Sequence, residues 1–445
     1  MTRSTPVLLQ FDLAMPKRVR SALVGGLSCA VRIGDTLWTA CDETCHVERL
    51  QPLPGTTAFA QRWGRHTRFA LADYLPLAIA PRRRDPLAVP EADLEGLAYR
   101  DGYLWVLGSH ARARGEADHA STVENLRALA TIERDGNRYL LARIPLIVDR
   151  ANIALARKTG KGRERRTAAC VRNSAKGSRL THLLARDAHF GPFVALPGKE
   201  NGLDCEGLAV GAGGRVFVGL RGPVLDGWAC VLELRVATDP KDPTEVSLQP
   251  IPAGGKKRYR KHFLDLDGRG VRDLLLDGAD LLILAGPTMG NSGSFALFRW
   301  RGGARIGRPS LVRGDRLEKL LELPDDPVTV TGDSARLRQV LANLLANART
   351  HTPSGTTVGT RLAVVDGWAI VTVADDGPGI PEQMLPDVFD RFARGETSRS
   401  RAAGSTGLGL AIVAAVVTAH GGRVHVDSGA GRTRFALHLP GATRG

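Results

Sequence analysis

The chain has 445 residues, of which 43% are hydrophobic and 24% charged, with a formal net charge of +15. That length accommodates two or three domains, and that apolar share excludes wholesale disorder. No apolar run reaches the ~18 residues of a membrane span, and the opening MTRSTPVLLQFDLAMP lacks a charged-then-apolar signal layout, so no membrane span and a cytoplasmic location are expected. The positive charge permits attraction to nucleotides, nucleic acid or lipid without choosing among them. Arg far outnumbers Lys, a bias that high-GC coding alone produces and that weakens a functional reading of the charge. Cys29, Cys41, Cys45, Cys170, Cys205 and Cys230 are too sparse for a disulfide scaffold. Cys41, Cys45 and His46 have loosely metal-like spacing, but no second pair follows at zinc-finger distance, so buried thiols are expected.

Residues 1–325 alternate short apolar runs with Gly, Pro and Asp turns, the texture of an all-β domain. Four stretches repeat a polar turn and an apolar strand: IGDTLWTAC (33–41), RDGYLWVLG (100–108), AGGRVFVGL (212–220) and DGADLLILAG (277–286). Two of the units open alike, Asp93-Leu-Glu95-Gly96 and Asp204-Cys-Glu206-Gly207. Recurring units of this size point to propeller-like blades with an unreadable blade count; a large β-sandwich is the plainer alternative. The stretches DLEGLAYRDGYLWVLGSH, DCEGLAVGAGGRVFVGLRGP and VRDLLLDGADLLILAGPT resemble a bacterial family known only as a domain of unknown function with a propeller-like fold. The paired Asp-x-Glu-Gly carboxylates could converge on a divalent metal and activate water, as in a lactonase- or phosphoesterase-type hydrolase. A repeated blade turn explains them more simply. Two basic runs, Arg157–Arg166 and Lys256–His262, read as solvated loops; with Tyr259 alone between charges, neither makes a clear nucleic-acid site.

Character changes near residue 325, and the last lysine is Lys319. Residues 326–445 hold four blocks in order. In the first, Leu337, Val340, Leu341, Leu344 and Leu345 recur at helical steps between a capping Asp333 and Pro353. Asn343 and Asn347, four apart, share a helical face, and amide oxygens suit a hard cation. The second runs an alternating strand into Asp375, Asp376, Gly377 and Gly379. A carboxylate at a strand end can accept a hydrogen bond from an exocyclic amine. The third, around Phe389, Arg391, Phe392 and Arg394, interleaves aromatics and guanidinium groups. The fourth, Gly404-Ser405-Thr406-Gly407-Leu408-Gly409, opens an apolar helix whose N-terminus favours phosphate. It matches neither a P-loop nor a Rossmann turn.

In this order the blocks resemble the N, G1, F and G2 boxes of the ATP-binding catalytic domain of sensor histidine kinases, within the gyrase, heat-shock chaperone and MutL superfamily. The resemblance implies a multidomain chain: an all-β propeller-like domain (1–325) and a C-terminal α/β sandwich of Bergerat type (326–445), with helices on one face of a mixed sheet. It implies ATP and Mg²⁺ as cofactors, with Asn347 holding the metal and Asn343 assisting. Asp375 would take the adenine amino group, Gly377 and Gly379 would shape the floor, and Thr433 would lie near the base. Phe392, Gly404, Thr406, Gly407, Leu408 and Gly409 would belong to the nucleotide site and its lid. ATPase relatives have Glu where this chain has Asn343, which cannot take a proton from water. Phosphoryl transfer, helped by Arg391 or Arg394, is therefore expected over hydrolysis. None of the eleven histidines precedes an acidic residue, and no long heptad-like helix pair lies between 288 and 326. The family's acceptor-histidine module is expected to be missing, leaving a response regulator or a separate acceptor-histidine protein as partner. A non-catalytic nucleotide-binding interaction protein is the remaining alternative.

Overall fold

The computed structural model describes residues 7–12, 23, 25–54, 61–80, 90–118, 121–149, 152–252, 257–289, 293–323, 330–353, 356, 358–365, 367–390 and 409–441. These form two compact bodies, one from residues 6–291 and 298–318, the other mainly from residues 319–445. Among the described residues no helix is long and apolar enough to cross a membrane.

The first body is mostly β. Strands β1 (Leu27–Ile33), β2 (Thr36–Cys41), β3 (His46–Pro52) and β4 (Gln61–Ala70) pair antiparallel in succession. They are followed by β5 (Leu94–Arg100), β6 (Tyr103–Gly108), β7 (Leu141–Asp149), β8 (Ala169–Val171), β9 (Asp204–Val210), β10 (Arg215–Leu225), β11 (Trp228–Thr238), β12 (Glu245–Leu248), β13 (Tyr259–Asp265), β14 (Gly270–Asp277) and β15 (Asp280–Gly286). Each repeated turn holds a glycine at positive φ, namely Gly34, Gly102, Gly214 and Gly278, where a side chain would be strained. Three of the four repeats end where the pattern predicts, at Cys41, Gly108 and Gly286. The third runs on to Leu225, because its hairpin continues to a Leu225–Trp228 pair.

Two of the expected units are not separate sheets. One sheet runs β9-β10-β11-β12-β8-β7-β6-β5, because β8 and β12 pair in parallel and join the two hairpin families. The strands at its two ends meet: a Cβ on Gly96 of β5 would stand 2.7 Å from Leu208 Cβ of β9. Gly207 repeats the arrangement one unit on, facing Leu274 of β14 at 2.7 Å. The first strand of each unit also breaks register, at one place in β1, β5 and β14 and at two in β9. The odd residues are Ser28 in β1, Glu95 in β5, Glu206 in β9 and Arg272 in β14. A β-bulge of this kind re-aims the extra side chain.

The second basic run is not a solvated loop over its described part. Tyr259–Asp265 is strand β13, paired with β11. Arg260 is 8% and His262 0% exposed, and both bind Glu233. Tyr259 and Lys261 bind Asp187. Acids on neighbouring segments neutralise the run, and alternation alone does not reveal them. All six cysteines are buried free thiols of this body; burial pushes Cys41 and Cys45 up to about 12.

The second body has helix α1 (Ser334–His351), strands β16 (Val358–Val365) and β17 (Trp368–Asp375), helix α2 (Gly409–Ala419) and strands β18 (Arg423–Gly429) and β19 (Arg432–Pro440). The strands lie in the order β16-β17-β19-β18, all antiparallel. Leu321 and Glu322 add a parallel pairing to β16, so the sheet is mixed. Val340 and Leu344 of α1 and Val413 and Val417 of α2 bury against Ala369, Val373, Phe435, Leu437 and Leu439 of the sheet. Asp333 caps α1, its Oδ1 accepting from the Arg336 N–H, and its own N–H donates to His420 Nε2 at the end of α2.

Gly96→Val tests the strand contact. Overpacking of this kind costs about 1–3 kcal/mol, so the variant should melt several degrees lower by calorimetry; an unchanged melting temperature would show that β5 and β9 can separate freely.

Candidate functional site

Helix α1 (Ser334–His351) and the residue after it contact Gly409 and Gly377 of the second body. Asn343 Nδ2 donates to the Gly409 carbonyl at 3.2 Å, at the first residue of α2. Nine residues on, Thr352 lies against Gly377, where a Cβ would meet Thr352 Cγ2 at 2.6 Å. Asn347 sits between them, half-buried and without a hydrogen-bond partner among the described residues. At about 1.5 Å of rise per residue, it is roughly 6 Å from the first contact and 7–8 Å from the second along the helix axis.

Strand β17 ends at Asp375, which is 8% exposed. Its Oδ1 accepts from the Gly377 N–H at 3.1 Å, and its second oxygen has no partner among the described residues. Burial raises this carboxyl above its ordinary value, against the pull of the Gly377 bond. Directly across the ladder from Asp375 is Thr433 of β19, also buried. Gly379 turns at φ +85°, and a Cβ there would stand 2.1 Å from the Gly429 carbonyl. The site therefore has a floor that only glycine permits and a buried carboxylate at its edge. A partnerless amide on the adjoining helix completes it.

The fold thus brings Asn343 to Gly409, and Asp375 to Gly377 and Thr433, with Asn347 between the Gly409 and Gly377 contacts. Arg391, Phe392, Arg394, Gly404, Thr406, Gly407 and Leu408 lie outside the described residues. Two contributors were missed in the sequence. Ser428 bonds Thr433 Oγ1 at 3.1 Å and accepts from the Ile380 N–H, tying the last hairpin to the Gly379 turn. Thr352 forms the wall against Gly377. The signal for Ser428 was its place opposite Thr433 in the final hairpin; nothing in the spacing marked Thr352.

The first body holds a second polar site, a cavity of ≈ 1100 Å³ lined by Asp42, Asp93, Glu95 and Asp204 together with Arg112, Arg114, Arg138 and Arg221. The two Asp-x-Glu-Gly copies differ there. Arg221 pairs with Asp204 at 2.5 Å and with Glu206 at 2.9 Å, and Arg272 pairs with Glu206 at 2.9 Å. Asp93 has only Ser109 and, at 3.5 Å, Arg138. Glu95 has no ion pair or hydrogen bond among the described residues. Burial and the surrounding carboxylates push Glu95 up to about 10. Burial raises Asp204 to about 6 against the pull of Arg221. The sequence-stated convergence of all four carboxylates on one metal is thus altered: two are neutralised by arginines, and Asp42 joins the other two.

Comparison with known proteins bears on both bodies. Residues 332–443 match the family described as "Histidine kinase-, DNA gyrase B-, and HSP90-like ATPase". The chain is 57% identical over 129 residues to the probable sensor histidine kinase TcrY of Mycobacterium tuberculosis, covering 29% of this chain and 27% of TcrY. It is 44% identical over 120 residues to the sensor histidine kinase CusS of Escherichia coli K12, covering 27% and 25%. Among solved structures it is similar to the mycobacterial sensor histidine kinase MprB, 41% identical over 26% of this chain and 78% of that one, with a TM-score of 0.24. The chain spans about a quarter of the length of the curated relatives it matches. It carries a C-terminal ATP-binding domain of the sensor-histidine-kinase class. The longer match is upstream: residues 26–336 match "Protein of unknown function (DUF3616)", and the chain belongs to that family.

Gly379→Ala should strain the turn that follows Asp375. A side chain held at positive φ against a carbonyl costs on the order of 1–3 kcal/mol, read as earlier unfolding of the second body in urea by hydrogen exchange of β17–β19. Protection equal to that of the parent would mean the turn relaxes without cost.

Proposed function

We propose that residues 326–445 form a domain that binds Mg·ATP and passes the γ-phosphoryl group to a histidine of another protein in two-component signalling, with residues 1–325 a separate propeller-like domain. The reading rests on one observation: helix α1 bonds Gly409, the residue just past its end packs on Gly377, and Asn347 lies between the two contacts. The residues present fit the nucleotide. The free oxygen of Asp375 suits an adenine amino group, and the glycine floor leaves room for close backbone approach.

Asn347, with Asn343 beside it, would hold Mg²⁺ through amide oxygens. When bound, that cation neutralises charge on the phosphate oxygens. The chain's own part is positioning. Asn343 ties the start of α2 to α1, so the free N–H groups of that helix end are fixed where phosphate oxygens would lie. Arg391 and Arg394 are assigned positive charge near the transferred group from sequence. In the transfer, an imidazole nitrogen of the acceptor bonds to the γ-phosphorus, and the bond from that phosphorus to the ADP oxygen breaks. The imidazole proton leaves to solvent. Asn343 has no basic group to deprotonate water, so hydrolysis is slow by comparison.

The affinity test is isothermal titration of ATP into the full chain. Asp375→Ala should weaken binding by more than about tenfold, the scale of a lost hydrogen bond to a charged group; unaltered affinity would reject the site. Asn347→Ala should keep metal-free nucleotide binding and lose its enhancement by Mg²⁺.

The transfer test uses γ-labelled ATP. The chain alone should incorporate no stable label, and an added acceptor-histidine domain should become labelled in acid-labile form. Steady phosphate release without an acceptor would favour an ATPase instead.

A further inference from the structure

The polar cavity of the first body is independent of the nucleotide reading. Its lining brings one oxygen each of Asp42, Asp93 and Glu95 within 4.8 Å of one another. The three come from different local contexts: Asp42 follows β2, Asp93 precedes β5, and Glu95 is the bulged residue of β5. The bulge is what aims Glu95 at the other two. Asp93 is held at φ +46°, a conformation uncommon for any residue but glycine. The neighbouring copy of the motif serves as an internal control. There, the Asp204 and Glu206 carboxylates each meet arginine at 2.9 Å or less, whereas Glu95 meets none. Three carboxyls gathered in a part-buried site, with Arg138 at 3.5 Å from Asp93 as their one paired cation among the described residues, are costly to ionise together, and a bound cation lowers that cost.

A separate observation points the same way. Asp204 lines the same cavity and is 3% exposed. One of its oxygens binds Arg221, while Oδ1 is buried with no hydrogen-bond partner. A buried carboxylate oxygen left unpaired beside three more carboxylates calls for a ligand that carries positive charge or donates hydrogen bonds.

We propose that Asp42, Asp93 and Glu95 bind a hard divalent cation, Ca²⁺ or Mg²⁺, in this cavity. All-oxygen donors favour a hard cation over zinc. Three carboxylates supply part of the six to eight oxygens Ca²⁺ takes. The rest of the shell falls to water or an anionic ligand in the cavity, whose wall carries Arg112 and Arg114.

The test uses full-length protein, chelator-treated and free of nucleotide, titrated with CaCl₂ by calorimetry and, in parallel, with Tb³⁺ by luminescence. Saturable 1:1 binding is expected, with a rise in melting temperature that grows with the logarithm of calcium concentration. Asp42→Asn and Glu95→Gln keep shape and remove carboxylate oxygens that a cation would hold ionised. Both should fold, melt no lower than the parent without calcium, and bind Ca²⁺ at least about tenfold more weakly, the scale of one lost charged ligand. Glu206→Gln, whose parent residue is satisfied by arginines, should change affinity by less than about threefold, within the scatter of a neutralised neighbour. The Asn343→Ala/Asn347→Ala double variant should bind Ca²⁺ as the parent does, which separates this site from any metal held with nucleotide. No binding of Ca²⁺, Mg²⁺ or Mn²⁺ at millimolar concentration, or binding that survives in the Asp42→Asn/Glu95→Gln double variant, would overturn the proposal.

Discussion

The close approach of first strands governs the N-terminal body. β5 can lie against β9 only because Gly96 has no side chain, and β9 against β14 only because Gly207 has none. Once those backbones touch, the residue before each glycine has nowhere to go in the ladder. It bulges, and Glu95 and Glu206 are turned out of register. One local constraint, a glycine after an acid, thus sets both the packing of successive units and the direction of their carboxylates. The chemistry of the cavity follows from the packing, and Arg221 and Arg272 decide which copy of the motif has its glutamate ion-paired.

In the C-terminal body the corresponding element is a helix. α1 is anchored at one end by Asp333 and His420 and along its length by Val340 and Leu344. Its Asn343 bonds Gly409 on one side of Asn347, and the Thr352 methyl just past its end packs on Gly377 on the other. The apolar stripe that buries the helix and the amide pair that faces the site are set by the same 3.6-residue period. Packing therefore determines the orientation of the polar face, and a shift of α1 along its axis would move both glycine turns.

Much of this was legible from residue patterns, and the exceptions have physical causes. The helix at 334–351 followed from the spacing of Leu337, Val340, Leu341, Leu344 and Leu345, because burial on one face leaves a periodic trace. The repeated hairpins followed from Gly34, Gly102, Gly214 and Gly278, because a left-handed turn restricts which residue can occupy it. Three things were not legible. The β8–β12 pairing is parallel and long-range, and two short strands carry no signal for a partner. The neutralisation of Arg260 and His262 by Glu233 depends on which strands are neighbours. Asp42 belongs to no motif; only the fold carries it to Asp93 and Glu95. Local order was readable where a residue type is forced by its own backbone, and unreadable where it answers to a distant strand.

The distribution of the thiols has a practical consequence. All six are shut inside the N-terminal body, and none lies beyond Cys230. A maleimide or iodoacetamide reagent meets them only when that body opens, so its uptake is a clock for the opening of one half of the chain. The half that resembles a kinase is silent to the reagent. The protein therefore carries its own reporter for asking whether a ligand taken up by one body is felt by the other, with no label added.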